Sequence, residues 1–208
     1  MTTPAAEPMV DTHQHLWDLT RFSLPWTKGN ELLARDFVMS DYLAATAGLG
    51  IEQTVYMEVD VDPAQQEAEA RYVIELCERD DNPMTAAVIS GRPADDGFRA
   101  YVNGLKASPY IKGLRQVLHG PTTPPSYFLD AKFVRGIQYL GECGWSYDLC
   151  LRSDDLLAAA AASSQTVTVG DVQDGDDLAG SILQAAEMVD DAGWEPNALL
   201  SRRGLRFR

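Results

Sequence analysis

Strand-like and helix-like segments alternate five times along this chain, and that rhythm leaves few folds open. The strand-like runs are Met9 to Thr12, Gln53 to Val59, Met84 to Ile89, Ile111 to Leu118 and Trp145 to Leu151, each short, apolar and bounded by turn residues. Helix signals lie between them. Ser40-Asp41-Tyr42-Leu43 opens a short helix ending near Gly48 or Gly50. Asp62-Pro63 caps a second, with Ala64, Ala68, Tyr72, Val73, Leu76 and Cys77 on its expected inner face. Asp96 to Ala107 reads as a third, with Phe98, Tyr101, Val102 and Leu105 inward. Phe128 to Gly141 is a fourth, with Phe133, Val134, Ile137 and Leu140 on one stripe, and Asp154-Asp155 starts another. Repeats of about 30 residues of this kind give parallel strands joined by right-handed crossovers. An open doubly wound sheet and a (β/α)8 barrel both satisfy that rule. The turn after the first strand holds His13-Gln14-His15 and no glycine triplet, which counts against a dinucleotide-binding sheet. Polar, reactive side chains stand at the exit of nearly every strand, the end where barrel sites gather. The expected fold class is therefore α/β, an incomplete (β/α)8 TIM-type barrel of about five βα units followed by an unrelated tail.

The pattern breaks near residue 157. Ala158 to Ala162 is an unbroken alanine run followed by Ser163-Ser164. From Asp171 to Glu195 there are eight acidic residues and no basic one, and residues 202–208 then hold four arginines. Thr166 to Val169 has strand character and Asp177 to Asp191 reads as an amphipathic helix. The expected division is residues 1–157, the barrel part, and 158–208, an atypical tail from a truncation, frameshift or fusion. The tail is also faintly similar to a piece of a tailed-phage major capsid protein, chiefly at Ala192 to Leu200.

Charge narrows the partners. A formal net charge of −14 repels phosphates and anionic lipid, so neither nucleic acid nor membrane is expected as a partner. No run approaches the ~18 apolar residues that span a bilayer. Met1 to Met9 lacks the basic cluster and apolar core of a signal peptide, so a cytoplasmic location is expected. Cys77, Cys143 and Cys150 are too few and too scattered for a disulfide framework and read as small buried apolar residues.

Chemistry concentrates at strand exits. The chain has three histidines, and His13 and His15 flank Gln14 just after the first strand. Alternate strand residues share a face, so both imidazoles can aim at one point as metal ligands or proton carriers; the plain alternative is two surface histidines on a loop. Glu58, an acid in an apolar strand end, is either a proton acceptor or a solvated carboxylate. Arg115 at the fourth exit suits bidentate binding of a substrate carboxylate, or an ion pair with an acid such as Glu58, and His119 lies just beyond. Asp148 on the fifth strand can hold a metal, orient a histidine or pair with Arg115. Trp17 to Asp36 is a loop long enough to fold over a site. No serine or cysteine stands in a nucleophile-elbow context. The chemistry on offer is hydrolytic: a metal or a histidine pair polarises a carbonyl, a carboxylate takes a proton from water, and an arginine holds the substrate.

These residues carry a resemblance. Val10 to Asp18, Met57-Glu58, Gly91-Arg92-Pro93, Lys112 to His119 and Tyr147 to Cys150 resemble, in order, the strand-end motifs of the amidohydrolase-related family. These are TIM-barrel hydrolases that include sugar lactonases and pyrone-dicarboxylate lactonase. The resemblance runs over about residues 8–157 and implies hydrolysis of a lactone or amide in a small, often carboxylated substrate. It implies that His13 and His15 match the first-strand histidines, which bind a divalent metal such as zinc in many members, while several lactonases work without one. Arg115 would be the substrate clamp. The family's sixth-strand histidine, in a motif close to Leu-Asp-His-Cys-Gly, and its eighth-strand aspartate have no match here. Activity of the chain as written is therefore doubtful, and the rival expectation is a non-catalytic fragment or an interaction module that self-associates through unpaired strand edges.

Overall fold

The computed structural model describes residues 8–120, 123–124, 127–152, 155, 167–168, 198–201 and 204–207. The start of the helix expected at Asp154, the alanine-rich junction and the expected Asp177 to Asp191 helix lie outside the described residues. Two compact units form, one of residues 1–90 with 107–112 and one of 91–106 with 113–208.

The first unit carries β1 (Met9–Gln14), α1 (Met39–Ala45), β2 (Ile51–Met57), α2 (Gln66–Cys77) and β3 (Met84–Ser90). β1 pairs with β2, and β2 with β3, all in parallel. β3 is buried at every position but one, as expected of a parallel strand covered on both faces. Asp62 accepts a hydrogen bond from the Ala64 amide (3.0 Å), Pro63 follows it, and a short 3₁₀ turn over Pro63–Gln65 leads into α2. That turn has a tighter pitch than the helix, and the buried stripe shifts with it. Ala64 and Ala68, expected inside, are exposed, and the covered residues are Glu69, Ala70, Val73, Leu76 and Cys77.

The Trp17 to Asp36 loop is fastened by its aromatics. Trp17 bridges to Phe37, its ring lies 4.5 Å from Phe37 and 5.6 Å from Trp26, and its Nε1 donates to the Arg35 carbonyl (2.7 Å). Trp26 Nε1 donates to the Val59 carbonyl (2.7 Å), so the loop is tied to the exit of β2.

The second unit carries α3 (Phe98–Leu105), most of β4 (Ile111–Val117), α4 (Ala131–Glu142), β5 (Ser146–Cys150) and β6 (Val167–Thr168), with an antiparallel pair β7 (Ala198–Ser201) and β8 (Gly204–Phe207). β4 and β5 run parallel in unbroken register, Gly113 beside Ser146 and Arg115 beside Asp148. β6, the centre of the expected Thr166 to Val169 strand, pairs parallel with β5. Asp130 caps α4 by accepting from the Lys132 amide (2.6 Å), and Phe133, Ile137 and Leu140 are buried as expected. None of the described helices is long and apolar enough to cross a membrane.

Glycine at 113 is a packing requirement. A Cβ there would run into Ser146 Oγ and lie 2.7 Å from the Ser146 carbonyl oxygen, a backbone atom held in the β4–β5 ladder. Gly113→Ala is expected to destabilise the protein by about 1–3 kcal/mol, measured as a lowered urea midpoint with an unchanged slope.

Candidate active site at the strand exits

The site in the first unit begins with a fault in strand pairing. Asp11 pairs with Thr54 and Gln14 with Tyr56, so three steps along β1 match two along β2. The extra residue is a β-bulge, which bends the strand and re-aims its side chains. The histidines are thus part of a strand and its exit, not of a surface loop. The His13 amide donates to Asp11 Oδ1 (3.0 Å), while Asp11 Oδ2 accepts from the Tyr42 hydroxyl (2.7 Å). Burial first, and the bond to Asp11 second, push the Tyr42 phenol up, so it remains a donor at any ordinary pH.

The two imidazoles meet. His13 Nε2 and His15 Nε2 are 3.0 Å apart, with ring centroids at 4.7 Å and planes at 78°. His15 Nδ1 is 2.9 Å from the Met57 carbonyl, which places the proton on Nδ1 and leaves a lone pair on Nε2. Met57 is the last residue of β2, so the exit of one strand sets the tautomer of a histidine on its neighbour.

The next residue, Glu58, is fully buried, which overturns the solvated alternative for it. Its Oε2 accepts from the Asp60 amide (2.6 Å) and from the Ser90 hydroxyl (3.0 Å). Asp60 takes a positive φ of 50°, a turn that brings its N–H back onto Glu58. Glu69 of α2 is fully buried as well. Its Oε1 accepts from Tyr56 (2.9 Å) and from the Val59 amide (3.1 Å). Burial first, and the charge of Glu58 second, raise the Glu69 carboxyl to about 7. The hydrogen bonds from Val59 and Tyr56 pull the other way without offsetting this. Asp11, Tyr56 and Glu69 all escape a reading of the sequence. Asp11 was signalled by its two-residue spacing from His13, and Glu69 by its place four residues before Val73 on the apolar stripe.

In the second unit Arg115 and Asp148 are register neighbours on β4 and β5, and both are nearly buried. His119 lies four residues past Arg115, half-buried, and its carbonyl accepts from Arg152 Nη2 (3.1 Å).

Among the described residues no three His, Cys, Asp or Glu side chains gather as a metal cluster. The histidine pair nevertheless suits two corners of a zinc-like site. Two nitrogens each roughly 2.0–2.1 Å from one tetrahedral ion lie about 3.3 Å apart, a small opening from the observed 3.0 Å, and the tie from the second ring nitrogen to a carbonyl is the usual outer-shell support.

Comparison with known proteins gives the family and the fold. The amidohydrolase family model matches residues 10–166, and the chain belongs to that family. Among solved structures it is similar to amidohydrolase 2 from Bifidobacterium longum subsp. infantis, with a TM-score of 0.62 and 26% identity over 85% of this chain and 67% of that one. A Burkholderia multivorans amidohydrolase crystallised with bound zinc gives a TM-score of 0.62 at 21% identity, over 78% of this chain and 57% of that one. A probable 2-pyrone-4,6-dicarboxylic acid hydrolase from Acinetobacter baumannii, with citric acid bound, gives 0.57 at 14% identity, over 77% and 57%. No curated protein matches. The fold is thus that of an incomplete (β/α)8 barrel, and the chain spans between about half and two thirds of the length of these relatives.

Proposed function

We propose that this chain carries the histidine-bearing part of a lactonase-like amidohydrolase, acting on the lactone or amide carbonyl of a small, carboxylated substrate. One observation carries the reading: two imidazole Nε2 atoms 3.0 Å apart at a strand exit, one of them fixed in tautomer by a backbone carbonyl. Membership of the amidohydrolase family supports it, as do the zinc and the citric acid, a small polycarboxylate, bound in the two similar structures. A divalent metal such as zinc, where bound, is held by His13 and His15 through Nε2 and supplies a Lewis acid and an acidified water. Without a metal, the chain's own groups do the chemistry instead. The Met57 carbonyl keeps the His15 proton on Nδ1, so its Nε2 takes the proton from the attacking water. The His13 Nε2–H hydrogen-bonds the carbonyl oxygen as it gains charge. The C–O or C–N bond then breaks and the proton on His15 passes to the leaving group. The same pair therefore serves a metal-independent route. In the second unit Arg115, with Asp148 beside it and His119 beyond, has the chemistry to bind a carboxylate. Glu58 is buried, with its Oε2 accepting from the Asp60 amide and the Ser90 hydroxyl rather than meeting bulk water. The reading includes a cytoplasmic location and no nucleic-acid or membrane partner, in keeping with a net charge of −14.

Isothermal titration with zinc and pH-stat assay of a panel of carboxylated γ- and δ-lactones test it. One zinc per chain is expected, with affinity in His13→Ala and His15→Ala falling by more than the roughly 10–100-fold typical of losing an outer-shell partner. No zinc binding and no lactone turnover would overturn the reading. A second reading, a self-associating non-catalytic piece, draws on Met9 (45% exposed) and Val10 (54%) on β1. Light scattering on the same samples separates the two: a monomer that binds zinc favours the first, a zinc-free oligomer the second.

A further inference from the structure

The fully buried carboxylate pair of Glu58 and Glu69 lies one strand exit away from the histidines and has no step in the chemistry above. A carboxylate on the apolar stripe of an amphipathic helix loses its water and keeps its place only if the fold gives it donors. Glu69 has two neutral ones, the Tyr56 hydroxyl (2.9 Å) and the Val59 amide (3.1 Å), and both belong to β2 and its exit. Val59 is held on its other side by Trp26 Nε1 at its carbonyl (2.7 Å). Between Val59 and the strand end stands Glu58, fixed by the Asp60 amide and the Ser90 hydroxyl. Immediately before it is Met57, whose carbonyl takes the His15 Nδ1 proton at 2.9 Å. A continuous set of short bonds thus runs from α2 to the imidazole: Glu69 to Val59 and Tyr56, along the backbone through Glu58 to Met57, and across to His15.

We propose that Glu69 is a positioning residue for the histidine pair: by holding Tyr56 and the Val59 amide it fixes the β2 exit that presents the Met57 carbonyl to His15. The proposal rests on the reading that His15 acts through Nε2. Glu69 adds a pH element, because burial first and the charge of Glu58 second raise its carboxyl. The ionisable groups facing Glu69 are Glu58 and Tyr56, with Tyr72 of α2 acting on Tyr56 in turn; the Ser90 hydroxyl of β3 stabilises the charged form of Glu69.

Nitrogen-15 NMR of the full chain tests this directly, since three histidines give a resolvable imidazole spectrum. In the wild type His15 is expected in the Nδ1–H tautomer. Glu69→Ala should shift at least half of its population to Nε2–H. Glu69→Gln, which still accepts from Tyr56 and Val59, should restore the wild-type tautomer. Val73→Ala, a cavity on the same helix stripe, should leave it unmoved. The Val59 amide should titrate with a midpoint of about 7 in the wild type and lose that step in Glu69→Gln, a readout that survives if the alanine variant does not fold. A folded Glu69→Ala with an unchanged His15 tautomer, an equal shift in Val73→Ala, or a Val59 amide that does not titrate between pH 5 and 9 would each overturn the proposal. Failed zinc binding alongside the expected tautomer shifts would overturn the hydrolase reading alone.

Discussion

Raising the pH from below 4.5 to above 7 is expected to cost this fold about 3 kcal/mol through Glu69 alone. An unfolded chain releases that proton near 4.5, whereas the folded chain keeps it to about 7. Across the interval the folded state binds more protons than the unfolded one, so stability falls as pH rises, and the whole contribution is present only below 4.5. The direction is opposite to the usual carboxylate behaviour, and the same chain supplies the contrast. Asp18, Asp81 and Asp96 are pulled down by hydrogen bonds from Thr20, Arg79 and Lys132 respectively. What those three contribute is present above their ordinary value of 3.8 and disappears as the pH falls, outside the Glu69 window. Urea midpoints at pH 5, 6, 7 and 8 check the prediction. A decline across the series in the wild type, absent in Glu69→Gln, is the expected result; a midpoint rising with pH would contradict it. Against a typical total of 5–15 kcal/mol, a loss of about 3 is large enough to read without ambiguity.

That Glu69 governs the effect was legible in the chain only in part. The spacing of residues 69, 73 and 76 marks one helical face, but a single acid at the edge of an amphipathic stripe reads equally well as its polar border. What decides its burial is the 3₁₀ turn at Pro63–Gln65, which rotates the helix before it starts, and the Tyr56 hydroxyl on a separate strand. Neither is a periodicity. The parallel strands and the convergence of His13 and His15 followed from alternation, since period two puts them on one side. The irregular register between Asp11 and Gln14 did not, because it is a mismatch of β1 against β2 and exists only when the two strands pair. Glu58 stood out as an acid in an apolar run, yet its partners, the Ser90 hydroxyl and the turned-back Asp60 amide, come from another strand and from a positive φ that nothing local requires of an aspartate. In the second unit the reverse holds. Gly113 and Ser146, like Arg115 and Asp148, are spaced so that regular pairing alone makes them neighbours, which is why motifs on two strands could be read together.

Phe133→Ala is expected to cost about 3–5 kcal/mol, the largest effect of any single change discussed for this chain. Phe133 is 1% exposed and sits edge-on to two tyrosines, with ring centroids 5.4 Å from Tyr127 and 5.5 Å from Tyr147. Truncation removes the buried ring, leaves a cavity that backbone from α4 and β5 cannot close, and ends both edge-to-face contacts, each worth roughly 0.5–1.5 kcal/mol beyond burial. Phe133→Leu, which fills most of the space, should cost far less, and the gap between the two variants measures the cavity. The consequence reaches the site residues through strand geometry. Tyr147 and Asp148 are consecutive on β5 and point to opposite faces, so α4 packs against the back of the strand that carries Asp148 beside Arg115. Hydrogen exchange should therefore show residues 113–117 and 146–150 losing protection in Phe133→Ala more than β1 to β3 do. Equal loss throughout would mean that the two compact units unfold only together, and that the helix layer behind β5 has no separate hold on the Arg115–Asp148 pair.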